Sequence, residues 1–362
     1  MQEIDHGIAL ARVGVARRKD DEGVHPAREC DRPDALVEVA ALVREPCRRD
    51  GSESRRDRDR NENDDAASHP PVVAAATCHL TKNSRATEYS GRMGTLAALA
   101  AAAALLPGFS PSAAGPAGGT VLTGVYPGTQ RAGYVYLPPG FSDATRYPVV
   151  YLLHGMPGSP SEYLAGTDLA RWADEEVAAG SVRPFIAVLP AAGPDRGYNG
   201  EWAGPLERAL VDRVIPFVDD HLPTIARERG RVIAGLSAGG FGAVDIGLRH
   251  PRLFGAIEAW SAYFQPLHDG PFKHASRATL AANDPTVLAP SEAGLLRRLG
   301  TRFFLSSGPA HSHWFKPAET LDFARELRAA NLPVSYHLYT SLKGEWRSQL
   351  DTGLAWALRR AG

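Results

Sequence analysis

From residue 119 onward, short continuous apolar runs alternate with segments of helical periodicity. Val149-Val150-Tyr151-Leu152-Leu153 is apolar at every position, the pattern of a strand covered on both faces. Phe185-Ile186-Ala187-Val188-Leu189 repeats it. Val121 to Tyr126 and Gly133 to Leu137 read as two earlier strands, parted by the turn chemistry of Pro127-Gly128. Val232-Ile233-Ala234, Ala256-Ile257, Phe303-Phe304-Leu305 and Val334 to Tyr339 supply the rest. Between them, apolar residues recur at helical spacing: Leu206, Leu210, Val214 and Phe217; Phe241, Val244 and Leu248; Leu321, Ala324 and Leu327; Leu350, Leu354 and Leu358. This alternation predicts an α/β fold, a mainly parallel sheet with helices on both faces. In such folds the functional groups gather at the carboxyl ends of the strands.

The first part of the chain reads differently. Residues 1–92 carry mixed charge without apolar periodicity, as in Arg55-Arg56-Asp57-Arg58-Asp59-Arg60, and are expected to be a disordered or mis-annotated extension. Residues 93–118 have the layout of a signal peptide and linker. Arg92-Met93 leads into an apolar block ending at Leu105-Leu106, Pro107-Gly108 breaks it, and Ser112-Ala113-Ala114 offers a small-residue exit site. The block is too short to span a membrane comfortably, so no stable membrane insertion is expected. A secreted or cell-surface protein whose translation starts near Met93 is the expectation; an internal Ala-rich helix is the other reading. The α/β domain is expected to occupy residues 119–362.

Composition narrows the function. Apolar residues make up 44% of the 362 and charged residues 22%, an ordinary soluble mix. A formal net charge of -1 argues against a nucleic-acid partner. Cys30, Cys47 and Cys78 all precede the α/β domain, which therefore holds no cysteine nucleophile, thiolate metal site or disulfide.

One motif carries chemistry. Gly235-Leu236-Ser237-Ala238-Gly239 matches G-x-S-x-G, with an apolar strand entering it and a helical pattern leaving it. A serine on so sharp a turn needs small neighbours, which Gly235, Gly239 and Gly240 provide. A second signal agrees: His154-Gly155-Met156-Pro157-Gly158 directly follows the strand ending at Leu153. An HG-type turn at this point can give a backbone N–H to an oxyanion hole. Ser237 is thus the expected nucleophile, and the amides of Ala238 and Met156 the expected oxyanion donors. His154, at the edge of the substrate pocket, is expected to orient its loop rather than act as base. Tyr198, Asn199, Glu201 and Trp202 follow a strand end and are candidates for lining that pocket. His268, His274 and Asp284 lie in an irregular, Pro-containing stretch expected to form a lid or pocket wall.

With Tyr147 to Gly155, Ile186 to Pro190, Val214 to Asp219 and Ala234 to Ala243, the chain resembles the esterase D family, which is itself similar to the mycobacterial mycolyltransferases. The likeness runs from Tyr147 to Trp356. It implies an α/β-hydrolase fold, acyl-ester chemistry on a small-molecule, lipid or sugar ester, and no metal or other cofactor. Two departures stand out. Where the family has an acid in a G-x-x-D pattern, Gly308-Pro309-Ala310-His311 carries a histidine. Where the family has a G-x-H-x-W-like motif, Leu342-Lys343-Gly344-Glu345-Trp346 has no histidine. An exchange of roles accounts for both: His311 or His313 as base, Glu345 as acid, and Trp314 beside them at the substrate. Triads are defined by geometry rather than chain order, so the exchange is allowed. The other accounts are a broken triad on a non-catalytic extracellular binding domain, and an acyltransferase in which a hydroxyl acceptor replaces water. His311-x-His313 as a metal pair lacks a third ligand at suitable spacing.

Overall fold

The computed structural model describes residues 106–309, 317–341 and 345–361. The described residues form a nine-stranded sheet in the order β1-β2-β3-β5-β4-β6-β7-β8-β9. Its strands are β1 (Phe109–Ala114), β2 (Thr120–Val125), β3 (Ala132–Leu137), β4 (Val149–Leu153), β5 (Ile186–Leu189), β6 (Arg231–Leu236), β7 (Ala256–Trp260), β8 (Arg302–Ser307) and β9 (Val334–Leu338). The pairings β1–β2, β2–β3 and β3–β5 are antiparallel. From β5 across to β9 every pairing is parallel. The fully apolar runs occupy the parallel, doubly covered part of the sheet, as their composition predicts.

Alternate residues of each central strand serve opposite faces. Tyr151, Leu153, Ile233, Phe303 and Leu305 join one buried cluster; Val150, Leu152, Val232, Ala234 and Phe304 join the other. The helices that cover the sheet are α1 (Leu169–Ala178), α2 (Pro205–Ala209), α3 (Ile215–His221), α4 (Ala238–Arg249), α5 (Pro285–Leu299), α6 (Pro317–Ala329), α7 (Glu345–Gln349) and α8 (Ala355–Leu358), with further five-residue helices at Ser161–Ala165 and Arg277–Ala281. π-Helical turns at Leu210–Val214 and Leu350–Leu354 join α2 to α3 and α7 to α8. Val218 of α3, Val244 and Leu248 of α4, Leu296 of α5 and Phe323 of α6 cover the first face. Trp172 of α1, Leu350, Leu354 and Leu358 cover the second. This is the mainly parallel sheet with helices on both faces that the alternating pattern implied, in the α/β-hydrolase arrangement that the family resemblance implied.

The domain starts earlier than residue 119. Leu106 is fully buried in the first cluster, and Phe109 packs edge-on against Tyr126 with ring centroids 4.9 Å apart. Ser112-Ala113-Ala114 lies inside β1, paired with β2. The following turn is fastened by the buried Asp174, whose carboxylate accepts N–H bonds from Ala117 (2.7 Å) and Gly119 (3.1 Å) and the Tyr136 hydroxyl bond (2.8 Å). Removal of the chain up to Ala114 would strip this edge strand from the sheet. The remainder of the expected leader, and the extension before it, lie outside the described residues.

A second difference concerns the stretch around residue 284. Asp284 is the N-cap of α5, accepting the Thr286 N–H at 2.9 Å, so it opens a helix rather than lying in an irregular stretch. Two prolines, Pro285 at the helix start and Pro290 inside it, hide the helix from a reading by periodicity.

Glu258 on β7 is fully buried, accepts the Trp260 indole N–H at 2.9 Å, and leaves its other oxygen without a hydrogen-bond partner. Burial pushes its pKa up to about 8, partly offset by Trp260 and Arg302. The folded state therefore holds this proton after the unfolded chain has lost it. The contribution of Glu258 to stability thus falls as pH rises from the ordinary carboxyl range through about 8. Glu258→Gln keeps an acceptor for Trp260 and removes the titration. The variant is expected to gain stability over the parent progressively with pH. Urea unfolding at several pH values checks this; a parent–variant difference that does not grow with pH refutes it.

Candidate active site

Ser237 joins β6 to α4 with φ 53° and ψ -119°, a region that L-residues rarely occupy. The surroundings hold it there. Its N–H donates to Trp260 O at 2.9 Å, and its C=O accepts from Gly240 N (2.9 Å) and Phe241 N (3.0 Å). The side chain is half-buried at the carboxyl end of the sheet. The glycines of the motif are steric necessities. A Cβ on Gly235 would sit 2.2 Å from Gly239 O, and one on Gly240 would sit 2.7 Å from the Ala262 Cβ. A Cβ on Gly239 would sit 1.9 Å from Leu153 O.

The second expected element lies beside it. A Cβ placed on Gly155 would be 3.5 Å from the Ser237 Cβ, so the loop after β4 touches the serine turn. The Ala238 amide opens α4, where the helix dipole favours negative charge. Met156, half-buried, follows Gly155, and its bond to Pro157 is cis.

His154 is only 2% exposed, and both its ring nitrogens are engaged. The Ala192 N–H donates to Nε2 at 3.0 Å, so Nδ1 carries the proton and donates to Gly155 O at 2.6 Å. Burial lowers its pKa to about 4, against the Gly155 bond and with help from the charges of Arg131 and Arg196. The ring is thus a neutral strut with no nitrogen free for the serine or for a substrate. Trp202 is 2% exposed, donates its indole N–H to His154 O at 2.9 Å, and packs its Cβ against Gly242. It supports the loop from beneath instead of facing a ligand.

Tyr198 packs over Gly193 and lines a cavity of about 350 Å³ with Thr129, Gln130, Leu206 and Pro271; neither Ser237 nor Met156 lines it. Glu201 is fully buried, with both oxygens accepting from the Tyr263 hydroxyl at 2.7 and 2.8 Å. Burial raises its pKa to about 8. Tyr263 stacks on Phe241 of α4, with centroids 5.2 Å apart. No sequence motif marks that pairing, because it joins loops 62 residues apart. His311, His313 and Trp314 lie outside the described residues. Glu345 is the first residue of α7.

Sheet order, elbow serine and adjoining glycine loop define an α/β-hydrolase. Residues 125–357 match the family described as "Putative esterase". The chain belongs to that family. It is 33% identical over 138 residues to an endo-1,4-beta-xylanase/feruloyl esterase of Xylanibacter ruminicola, covering 35% of this chain and 19% of the relative. It is 30% identical over 137 residues to an esterase of Mycobacterium tuberculosis, covering 35% of this chain and 28% of the relative. The chain thus spans less than a third of either relative's length. Among solved structures it resembles a ferulic acid esterase (TM-score 0.58, 24% identity, 67% of this chain and 98% of that one). It also resembles an S-formylglutathione hydrolase of Staphylococcus aureus (TM-score 0.51, 19% identity, 66% of this chain and 97% of that one).

Proposed function

We propose that this chain hydrolyses carboxylic esters through an acyl-enzyme on Ser237. The observation that supports it most is the contact between two features that ester hydrolysis needs together. A serine held at φ 53° projects from the elbow, and the Gly155 backbone lies against it. The Ser237 hydroxyl attacks the acyl carbon. The developing oxyanion is met by the Ala238 and Met156 amides, worth a few kcal/mol. The serine proton passes to a histidine, which returns it to the leaving alcohol; water then repeats the sequence and frees the acid. With His154 committed to its own loop, His311 or His313 is the base in this proposal, and Glu345 orients it.

A fluorophosphonate probe tests the reading. Ser237 is expected to be labelled, and Ser237→Ala to take no label. A chain that stays unlabelled beside a reactive control hydrolase is not a serine esterase. The joint substitution His311→Ala and His313→Ala is expected to slow labelling by about 10²- to 10⁴-fold. Labelling at the parent rate would refute the exchanged base while leaving the nucleophile in place. Added alcohol that diverts the acyl group from water would shift the reading to acyl transfer.

A further inference from the structure

Arg131 immediately precedes β3, yet its guanidinium bridges the two loops that follow β4 and β5. Nη2 donates to Ala192 O at 2.5 Å and to Gly158 O at 3.3 Å, and Nε donates to Gly193 O at 3.3 Å. Ala192 and Gly193 follow β5. Gly158 closes the loop that begins at His154.

These contacts complete a frame. At its near end the loop is held by Trp202 on His154 O and by the His154 ring on Gly155 O. At its far end the Gly158 N–H donates to Arg196 O at 3.0 Å, and its C=O accepts from Arg131. Ala192 links the two ends: its N–H is bound by His154 and its C=O by Arg131. The segment between, Gly155-Met156-Pro157, begins with the glycine that lies against the Ser237 turn.

We infer that Arg131 is a positioning residue for the oxyanion loop: its fork fixes Gly158 and Ala192, and so sets the distance from the Met156 amide to the Ser237 turn. The inference rests on the esterase reading above. A planar fork with several N–H groups can hold three carbonyls at once; a lysine ammonium is a single point donor on a flexible stem. The neighbouring charges are Asp195, Arg196 and Glu162.

The test compares Arg131→Met and Arg131→Lys with the parent chain on a chromogenic ester. Rates are normalised to the number of Ser237 sites that a fluorophosphonate labels at saturation. Both variants are expected to lose about tenfold to a hundredfold in kcat per labelled site. KM should stay within about twofold of the parent, since the lost interaction belongs to the transition state. Labelling rates should fall in parallel with kcat. A role in folding alone would instead lower the labelled fraction and leave kcat per labelled site unchanged. That result in either variant overturns the inference, and if Arg131→Met fails to fold, Arg131→Lys decides. A parent chain without label at Ser237 overturns the esterase reading itself, which separates the two failures.

Discussion

Ser237→Gly is expected to destroy activity and strengthen the fold at the same time. Loss of the attacking hydroxyl should lower kcat by about 10⁶, the scale seen when a serine nucleophile is removed from a complete triad. The stability change has the opposite sign. The serine sits at φ 53° and ψ -119°, and a non-glycine residue held in such a region costs on the order of 1–3 kcal/mol. Glycine occupies positive φ freely, though it loses more chain entropy on folding, by about 0.5–1 kcal/mol. The net expectation is a gain of about 1 kcal/mol, or a Tm rise of about 2–4 °C for a domain of this size. The backbone bonds to Trp260, Gly240 and Phe241 do not involve the side chain and should persist. Ser237→Ala removes the same hydroxyl but keeps the strain, and should leave Tm near the parent value. Calorimetry on the three chains, beside ester turnover, checks both halves. Equal Tm values for the glycine and alanine variants would mean that the elbow stores no backbone strain.

Much of this frame was legible in the sequence, for a physical reason. A strand covered on both faces must be apolar at every position, so β4, β5 and β6 announce themselves as unbroken runs. The elbow is legible because its sterics admit so few residues. What was missed depends on contacts between distant segments. β1 holds Pro111 and small residues without alternation, and is fixed by pairing to β2 and by Asp174 beneath the turn. The α5 periodicity is masked by its prolines, although the Asp284 cap followed by Pro285 is itself a helix-start signal. Trp202 looked like a pocket residue because it follows a strand end. Its indole is instead used inside the frame, a choice set by the His154 carbonyl 48 residues away. Arg131 carries no local mark at all, since its role comes from three carbonyls that only the folded chain brings together.

Gly239→Ala is expected to be the most damaging single-methyl change in the domain, because it strikes the contact that joins the elbow to the oxyanion loop. The added Cβ would lie 1.9 Å from Leu153 O, 2.5 Å from the Leu153 carbonyl carbon and 2.7 Å from His154 O. All three are backbone atoms, so no rotamer change can relieve the overlap. Leu153 cannot retreat easily: it ends β4, which is registered against β5 on one side and pairs Leu153 with Gly235 of β6 on the other. Gly239 is equally fixed, since its own carbonyl already sits where a Cβ on Gly235 would lie 2.2 Å away. Something in the pair β4–α4 must therefore shift by more than an ångström. Overpacking of a well-filled core costs about 1–3 kcal/mol when side chains can move, and more when backbone must. The displaced atoms are Leu153 O and His154 O, and the second is the acceptor of the Trp202 indole bond that holds the loop. Whatever fraction of Gly239→Ala still folds should thus have Met156 misplaced relative to Ser237. Misplacement by about 1 Å is enough to cost about a hundredfold in rate. A lower urea midpoint together with a fall in kcat per labelled serine is the expected pair of results. Gly242→Ala, whose Cβ would meet the Trp202 side chain 2.4 Å away and no backbone atom among its three nearest, is the control. It should lose less stability. If Gly239→Ala matched the parent in both stability and turnover, the elbow and loop would not be in the close contact on which the catalytic proposal depends.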